Sequence, residues 1–144
     1  MGLSTLLNRF MNIYIKNKSQ PVATKELMQV FGVPAYLIEQ HSSRIDSVLV
    51  WGNGLFNSVC NLKFSESDLA ILYKAISYNM DNTDGYTTIQ TISKYINRTC
   101  STFLAEHEIL NRTALFYVLR YYFSGEYSFS NSIHIATKNC IIRC

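Results

Sequence analysis

Residues 24–41 read TKELMQVFGVPAYLIEQH, and this segment decides the predicted fold. Its apolar residues recur at the three- and four-residue spacing that is typical of short amphipathic helices. The apolar sides are formed by Leu27, Val30 and Phe31 in the first helix and by Leu37 and Ile38 in the second. Gly32 lies between the helices and suits a sharp turn, because glycine adopts positive φ angles at no steric cost. Pro34 suits the first turn of the second helix, where its missing N–H is not needed.

A short helix, a glycine turn and a second short helix resemble a helix-turn-helix. The resemblance is to winged helix-turn-helix transcriptional regulators, whose second helix lies in the DNA major groove. A preceding helix is predicted over residues 3–16, because its apolar residues, Leu6 and Phe10 among them, recur at three- and four-residue spacing. The two short helices are predicted over about 23–31 and 34–44. A β-hairpin follows, because Asn53-Gly54 separates two apolar runs. Three helices and a hairpin are the winged-helix order, so the resemblance covers residues 3–64.

The second half of the chain repeats this order in outline. Ser65 is a favourable N-cap, and Asp68 stands three residues later in the position of a capping-box acid. Further helices are predicted from Thr87 or Thr88 and over residues 102–123, with a bend near Asn111. Residues 126–136 alternate polar and apolar side chains and predict a second hairpin.

We therefore expect an α+β, mostly helical fold with two winged-helix-like halves. The predicted domains are residues 1–64, which are expected to read DNA, and residues 65–144, which either read DNA or mediate dimerisation. The sequence leaves two registers for the second helix-turn-helix. One uses residues 92–96 and 101–105, and its helix spacing matches the first half. The other uses residues 104–108 and 112–119 and is followed directly by a hairpin. We favour the second, which is more similar to known winged-helix regulators, although it lacks the usual glycine at its turn.

The candidate DNA-contacting side chains lie on the predicted outer faces of the two reading helices. Glutamine pairs bidentately with adenine, arginine contacts guanine or phosphate, and alanine or tyrosine contacts the thymine methyl group. The first half provides Pro34, Ala35, Tyr36, Glu39, Gln40 and Arg44. The second half provides Arg112, Thr113, Tyr117 and Arg120. The alternative is a pair of short helices with a solvated outer face, as occurs in proteins that bind only other proteins.

Charge favours DNA binding weakly. The net charge is +3, and 16% of the residues are charged. The whole positive excess lies in residues 1–64, which hold six Lys or Arg and three acidic residues, whereas residues 65–144 hold seven of each. The hydrophobic content of 48% excludes a disordered chain. The predicted partner is double-stranded DNA.

The sequence indicates neither an enzyme nor a metal site, and we predict no cofactor. His41, His107 and His134 are scattered, and the acids beside His107 point to other helix faces. His134 with Cys140 and Cys144 provides at most three ligands, whereas structural zinc needs four. No apolar run approaches the length of a membrane span, and the four cysteines lack CxxC spacing. We therefore expect a cytoplasmic protein with reduced thiols and no membrane partner.

The sequence best predicts a sequence-specific DNA-binding transcriptional regulator, and a plasmid-type replication initiator shares the same architecture. An alternative from a different functional class is a protein–protein interaction module, such as an immunity, anti-activator or host-interaction protein. The aromatic run from Tyr117 to Phe123 points to more than one helix face, and aromatic residues are enriched at interfaces. We therefore expect a homodimer whose contact surface includes Tyr121 or Tyr122.

Overall fold

The computed structural model describes residues 3–138 and confirms the α+β fold, in which each half consists of helices and a β-hairpin. The described residues form seven helices and two three-stranded antiparallel sheets. The chain divides into two compact units between Lys63 and Phe64, one residue before the boundary taken from the sequence. Phe64 belongs to the second unit because its ring packs on Phe103 and His107.

The first unit follows the order helix, strand, helix, helix, hairpin. Its sheet has the order β1-β3-β2, so that the second hairpin strand lies in the centre. The elements are α1 (Leu3–Lys16), β1 (Val22–Ala23), α2 (Thr24–Phe31), α3 (Ala35–Ser42), β2 (Val48–Gly52) and β3 (Leu55–Ser58), followed by a 3-10 turn (Val59–Asn61).

The core of the first unit lies between the three helices and the sheet. Burial of these side chains is the main favourable term for folding, at roughly 25 cal/mol per Å² of apolar surface. The buried members come from the three helices, the three strands and the loop before β2, and are Met11, Ile15, Val22, Leu27, Ile38, Ile45, Val48 and Phe56. Part of the predicted apolar sides stays outside this core, because Leu6 and Phe10 of α1 and Val30 of α2 are exposed.

The second unit has the same order of elements with one short helix added. Its sheet has the order β4-β6-β5, which is equivalent to that of the first unit. The elements are α4 (Glu66–Asp81), β4 (Tyr86–Thr88), α5 (Ile89–Thr99), α6 (Phe103–Glu106), α7 (Arg112–Phe123), β5 (Tyr127–Ser130) and β6 (His134–Thr137). Its core contains Leu72, Ile76, Ile92, Ile96, Leu115, Phe116, Leu119 and Ile135.

Each predicted register of the second helix pair contains one of the two longer helices and places its other helix partly on α6. The helix that follows the first strand of the sheet is α5, as in the first register, and it packs on α7. The helix that precedes the hairpin is α7, as in the second register. The four-residue helix α6 is inserted between them, so that residues 102–123 are two helices rather than one bent helix.

The same hydrogen bond joins the second helix to the hairpin in both units. The backbone N–H of Thr24 donates to the carbonyl of Gly54 at 2.8 Å, and the Thr24 hydroxyl donates to the same oxygen at 2.9 Å. In the second unit the N–H of Ile89 donates to the carbonyl of Ile133 at 2.8 Å. The first residue of α2 or α5 is therefore fixed to the turn of the hairpin.

The start of α4 carries the capping box that the sequence predicts. The Ser65 hydroxyl accepts from the N–H of Asp68 at 3.1 Å, and the Asp68 carboxylate accepts from the N–H of Ser65 at 3.0 Å. His107 Nε2 lies 3.5 Å from the same carboxylate. The hydrogen bond from the Ser65 backbone is the main reason why the pKa of Asp68 lies below its usual value of 3.8, and His107 lowers it further.

We expect Asp68→Asn to reduce the pH dependence of stability. A carboxyl group whose pKa is lowered by folding stabilises the fold above its unfolded pKa, and this contribution is lost as the pH falls through the folded pKa. Urea unfolding should therefore separate parent and variant at neutral pH and bring them together as the pH falls below the lowered pKa of Asp68 in the folded protein. Glu66→Gln removes an exposed charge from the same helical turn and is the matched control. A constant separation at all pH values would contradict the assigned role of Asp68.

We expect Gly32→Val to cost at least about 1 kcal/mol of unfolding free energy. Gly32 has a φ of 64°, and a Cβ atom there would meet nothing within 4 Å, so the cost is backbone strain alone. Gly125 has equally open surroundings without a positive φ, so Gly125→Val is the control with little expected effect. Chemical unfolding measures both, and equal effects would rule out strain at Gly32.

Candidate nucleic-acid interface

The turn between α2 and α3 has the conformation that the sequence predicts. Gly32 is left-handed and donates its backbone N–H to the Met28 carbonyl at 2.9 Å, which closes α2. Pro34 is the N-cap of α3, one position before the predicted first turn, and its φ of −72° suits the proline ring. Ile38 and His41 anchor the inner side of α3 in the unit.

The outer side of α3 is open to solvent and carries the predicted residues. Tyr36 is 65% exposed in the first turn of α3, a large fraction for an aromatic side chain. The six predicted side chains are exposed at Pro34, Tyr36, Glu39, Gln40 and Arg44 and half-buried at Ala35. Arg44 lies beyond the end of α3, in a turn where its N–H donates to the His41 carbonyl at 3.1 Å. The structure thus places the polar side chains of this segment on one accessible surface.

The carboxylate of Glu26 on α2 already has partners within the first unit. The Glu26 carboxylate accepts a hydrogen bond from the Tyr14 hydroxyl and lies 3.9 Å from Lys18 Nζ. The hydrogen bond to this carboxylate raises the pKa of Tyr14. Lys25 and Arg44 are exposed and form no ion pair within residues 3–138. The positive charge of these two side chains therefore remains available to an anionic partner.

The hairpin of the first unit provides little to a phosphate backbone. Asn53 and Gly54 both have positive φ angles, 53° and 72°, as a tight hairpin turn requires. The tip carries no basic side chain, and Trp51 of β2 is a buried core residue. A cation for contact with phosphate must therefore come from outside the tip of this hairpin.

The predicted residues of the second unit are less accessible. On α7, Arg112 and Arg120 are exposed, whereas Thr113 and Tyr117 are half-buried. The Arg120 guanidinium lies 5.1 Å from the centre of the Tyr117 ring, within the range of a cation–π contact. Tyr117 thus supports Arg120 rather than offering an open face of its own.

A basic depression that the sequence does not reveal lies beside Arg120. It has a volume of about 360 Å³ and combines two cationic side chains with three hydroxyl groups, which are groups that phosphate binds. Its lining consists of Arg120, Ser124, Tyr127, Ser128, Phe129 and Lys138. Lys138 follows the last strand, and no local pattern relates it to α7. Only the pairing of β5 with β6 brings these segments together.

The aromatic run at the end of α7 packs mostly within its own unit. The Tyr122 ring contacts Phe64 edge to face, and burial raises the pKa of Tyr122. Phe123 packs on Tyr73, which itself lies beside Tyr127. Tyr121 remains 45% exposed. Of the two tyrosines predicted at a dimer contact, Tyr121 is the accessible one.

Histidine and cysteine side chains form no metal-binding group of three or more among residues 3–138. Cys140 and Cys144 lie outside the described residues. His107 is held between the Phe64 and Phe103 rings and beside Asp68. None of the described helices is both long and apolar enough to cross a membrane.

Comparison of the chain with protein-family models, curated proteins and solved structures finds no match.

Proposed function

We propose that this protein is a sequence-specific transcriptional regulator that reads double-stranded DNA with α3. The observation that carries the proposal is the accessible outer side of α3, which follows a left-handed glycine turn and precedes a hairpin. A recognition helix in this arrangement enters the major groove with its N-terminal residues foremost. Tyr36 lies at that end of α3 and is largely exposed.

The chemistry of the α3 surface supports base reading more than simple attraction to phosphate. Gln40 offers both a donor and an acceptor to adenine, and Glu39 can accept from the amino group of cytosine. Arg44 contacts guanine or phosphate from the following turn. Because Glu39 opposes the charge of Arg44, the surface has a low net charge, and we expect weak nonspecific binding with a shallow salt dependence. We propose a cytoplasmic location for this activity.

A protein–protein interaction module is the second candidate, and the surface of α1 favours it. Leu6, Phe10 and Ile13 recur at helical spacing on this helix and are all exposed. Contiguous apolar surface of this kind is typical of partner-binding sites. A partner protein would cover α1, whereas DNA would cover α3, so substitutions on the two helices separate the functions.

We expect Gln40→Ala and Arg44→Ala to weaken DNA binding without unfolding the protein. Selection from a random duplex library first gives a binding site, and fluorescence anisotropy then measures affinity over a range of salt concentrations. Loss of a base contact should cost about 1–3 kcal/mol, and loss of a phosphate contact should reduce the salt slope by about one unit.

The matched controls are Gln20→Ala and Lys74→Ala, which remove exposed side chains of similar chemistry outside residues 24–44. Both controls should bind DNA as the parent does. Selection that enriches no sequence, or parental affinity in both α3 variants, would contradict recognition through α3.

We also propose that the protein forms a homodimer through a surface that includes Tyr121. Such regulators commonly read paired half-sites about one DNA turn apart. Tyr121 presents an exposed ring, and a tyrosine at an interface buries its ring while its hydroxyl stays hydrated. Light scattering should give twice the chain mass of 16.5 kDa, and Tyr121→Glu should give the monomer with an unchanged unfolding transition. A parent that is monomeric at micromolar concentration would contradict the proposed dimer.

A further inference from the structure

The first unit contains an apolar cavity of about 400 Å³ beside α3. Its volume lies within the range of small-molecule sites in proteins. It opens to solvent beside two side chains of α1, Leu6 and Phe10, which are 36% and 52% exposed. The lining comes from α1, α3 and the end of α2 with its turn and consists of Leu6, Leu7, Phe10, Phe31, Val33, Leu37 and His41.

His41 is the single polar side chain in this lining, and the residue is 4% exposed. Its Nδ1 lies 2.7 Å from Asn8 Oδ1. Because a carbonyl oxygen only accepts, Nδ1 carries the proton and Nε2 of the neutral ring carries a lone pair. Because Nδ1 is engaged by Asn8 and His41 lines the cavity, Nε2 is the ring nitrogen left to accept a hydrogen bond from a ligand.

We propose that this cavity binds a small molecule with an apolar body and one acidic hydroxyl group, either a phenol or a carboxylic acid. The six apolar side chains accommodate the body, whose transfer from water is favourable. The hydroxyl donates to His41 Nε2, and the same contact becomes an imidazolium–carboxylate pair if the proton moves to the ring. A hydrocarbon, which has no hydroxyl group, would leave Nε2 of His41 without a hydrogen-bond partner, and this is costly at a buried site.

The cavity also defines how such a ligand affects the proposed DNA reading, and this part rests on that proposed function. Leu37 and His41 face the cavity from the inner side of α3, whereas Gln40 lies on the outer side. A ligand that contacts both α1 and α3 therefore favours one placement of α3 relative to α1. By linkage, its occupancy changes the affinity for DNA by the same factor as DNA changes the affinity for the ligand.

Titration with 4-propylphenol, followed by two-dimensional amide NMR of the full chain, tests the binding site. We expect saturable shifts at Leu7, Phe31, Leu37 and His41. Its methyl ether, 4-propylanisole, keeps the apolar body without the donor and should bind about tenfold more weakly, as expected for one lost hydrogen bond at a buried group. Equal affinities of the two probes, or shifts confined to other residues, would overturn the proposal.

Two variants separate a specific site from general apolar binding. Leu6→Trp places a large side chain at the opening, where Leu6 is part-exposed, and should abolish the shifts while the unfolding transition remains. His41→Phe keeps a ring in the cavity and should remove the difference between the phenol and its ether. Shifts that persist in a folded Leu6→Trp protein would overturn the site, as would concentration-dependent broadening of these residues without a probe, which indicates a second copy in the cavity.

DNA binding in the presence of 4-propylphenol then tests the coupling to α3. The coupling is supported if 4-propylphenol changes the DNA affinity of the parent but not that of Leu6→Trp. It is overturned if the DNA affinity stays unchanged while the cavity is shown to be occupied. If no DNA sequence is selected at all, the proposed function fails while the probe titration still decides whether the cavity binds ligand.

Discussion

The hydrogen bond between the first residue of the second helix and the hairpin turn is the constraint on which each unit depends. Thr24 donates twice to the Gly54 carbonyl, and Ile89 donates once to Ile133. Because this bond extends the pairing of a very short first strand, it fixes where α2 or α5 begins relative to the sheet. The position of α3 then follows from the length of the connection after α2. In the first unit this connection has three residues, Gly32 to Pro34, and it leaves the outer side of α3 uncovered.

The sequence predicted the elements whose signals are local. The bounds of α1 followed from three- and four-residue periodicity, and the first hairpin followed from Asn53-Gly54. The strands β1 and β4 were missed because two or three residues are too short to show an alternating pattern. The second helix pair was only half correct, since no local signal shows that α6 is inserted between helices that pack together.

The outer side of α3 could be predicted from the sequence once the helix itself was predicted. Leu37 and Ile38 mark the inner side of α3, so the positions of Tyr36, Glu39 and Gln40 on the outer side followed from helical geometry. Lys138 beside Arg120 was not predictable, because antiparallel strand pairing brings it there. The cavity was hidden for a related reason. Periodicity assigned Leu6 and Phe10 to the apolar side of α1 without showing that this side is wider than the core it covers.

The two units differ in how much of the helix before the hairpin, α3 or α7, remains available for binding. In the first unit α3 has eight residues, of which Ile38, His41 and Ser42 are buried, while its exposed side chains Tyr36, Glu39 and Gln40 have no aromatic or ionic contact among the described residues. In the second unit α7 has twelve residues, five of which are buried, and Tyr117 and Tyr122 are occupied by contacts with Arg120 and Phe64. A surface whose side chains already have partners must give up those contacts before it binds anything else. DNA reading by α3 therefore requires less rearrangement than reading by α7, which leaves α7 better suited to holding its own unit together and to presenting Tyr121.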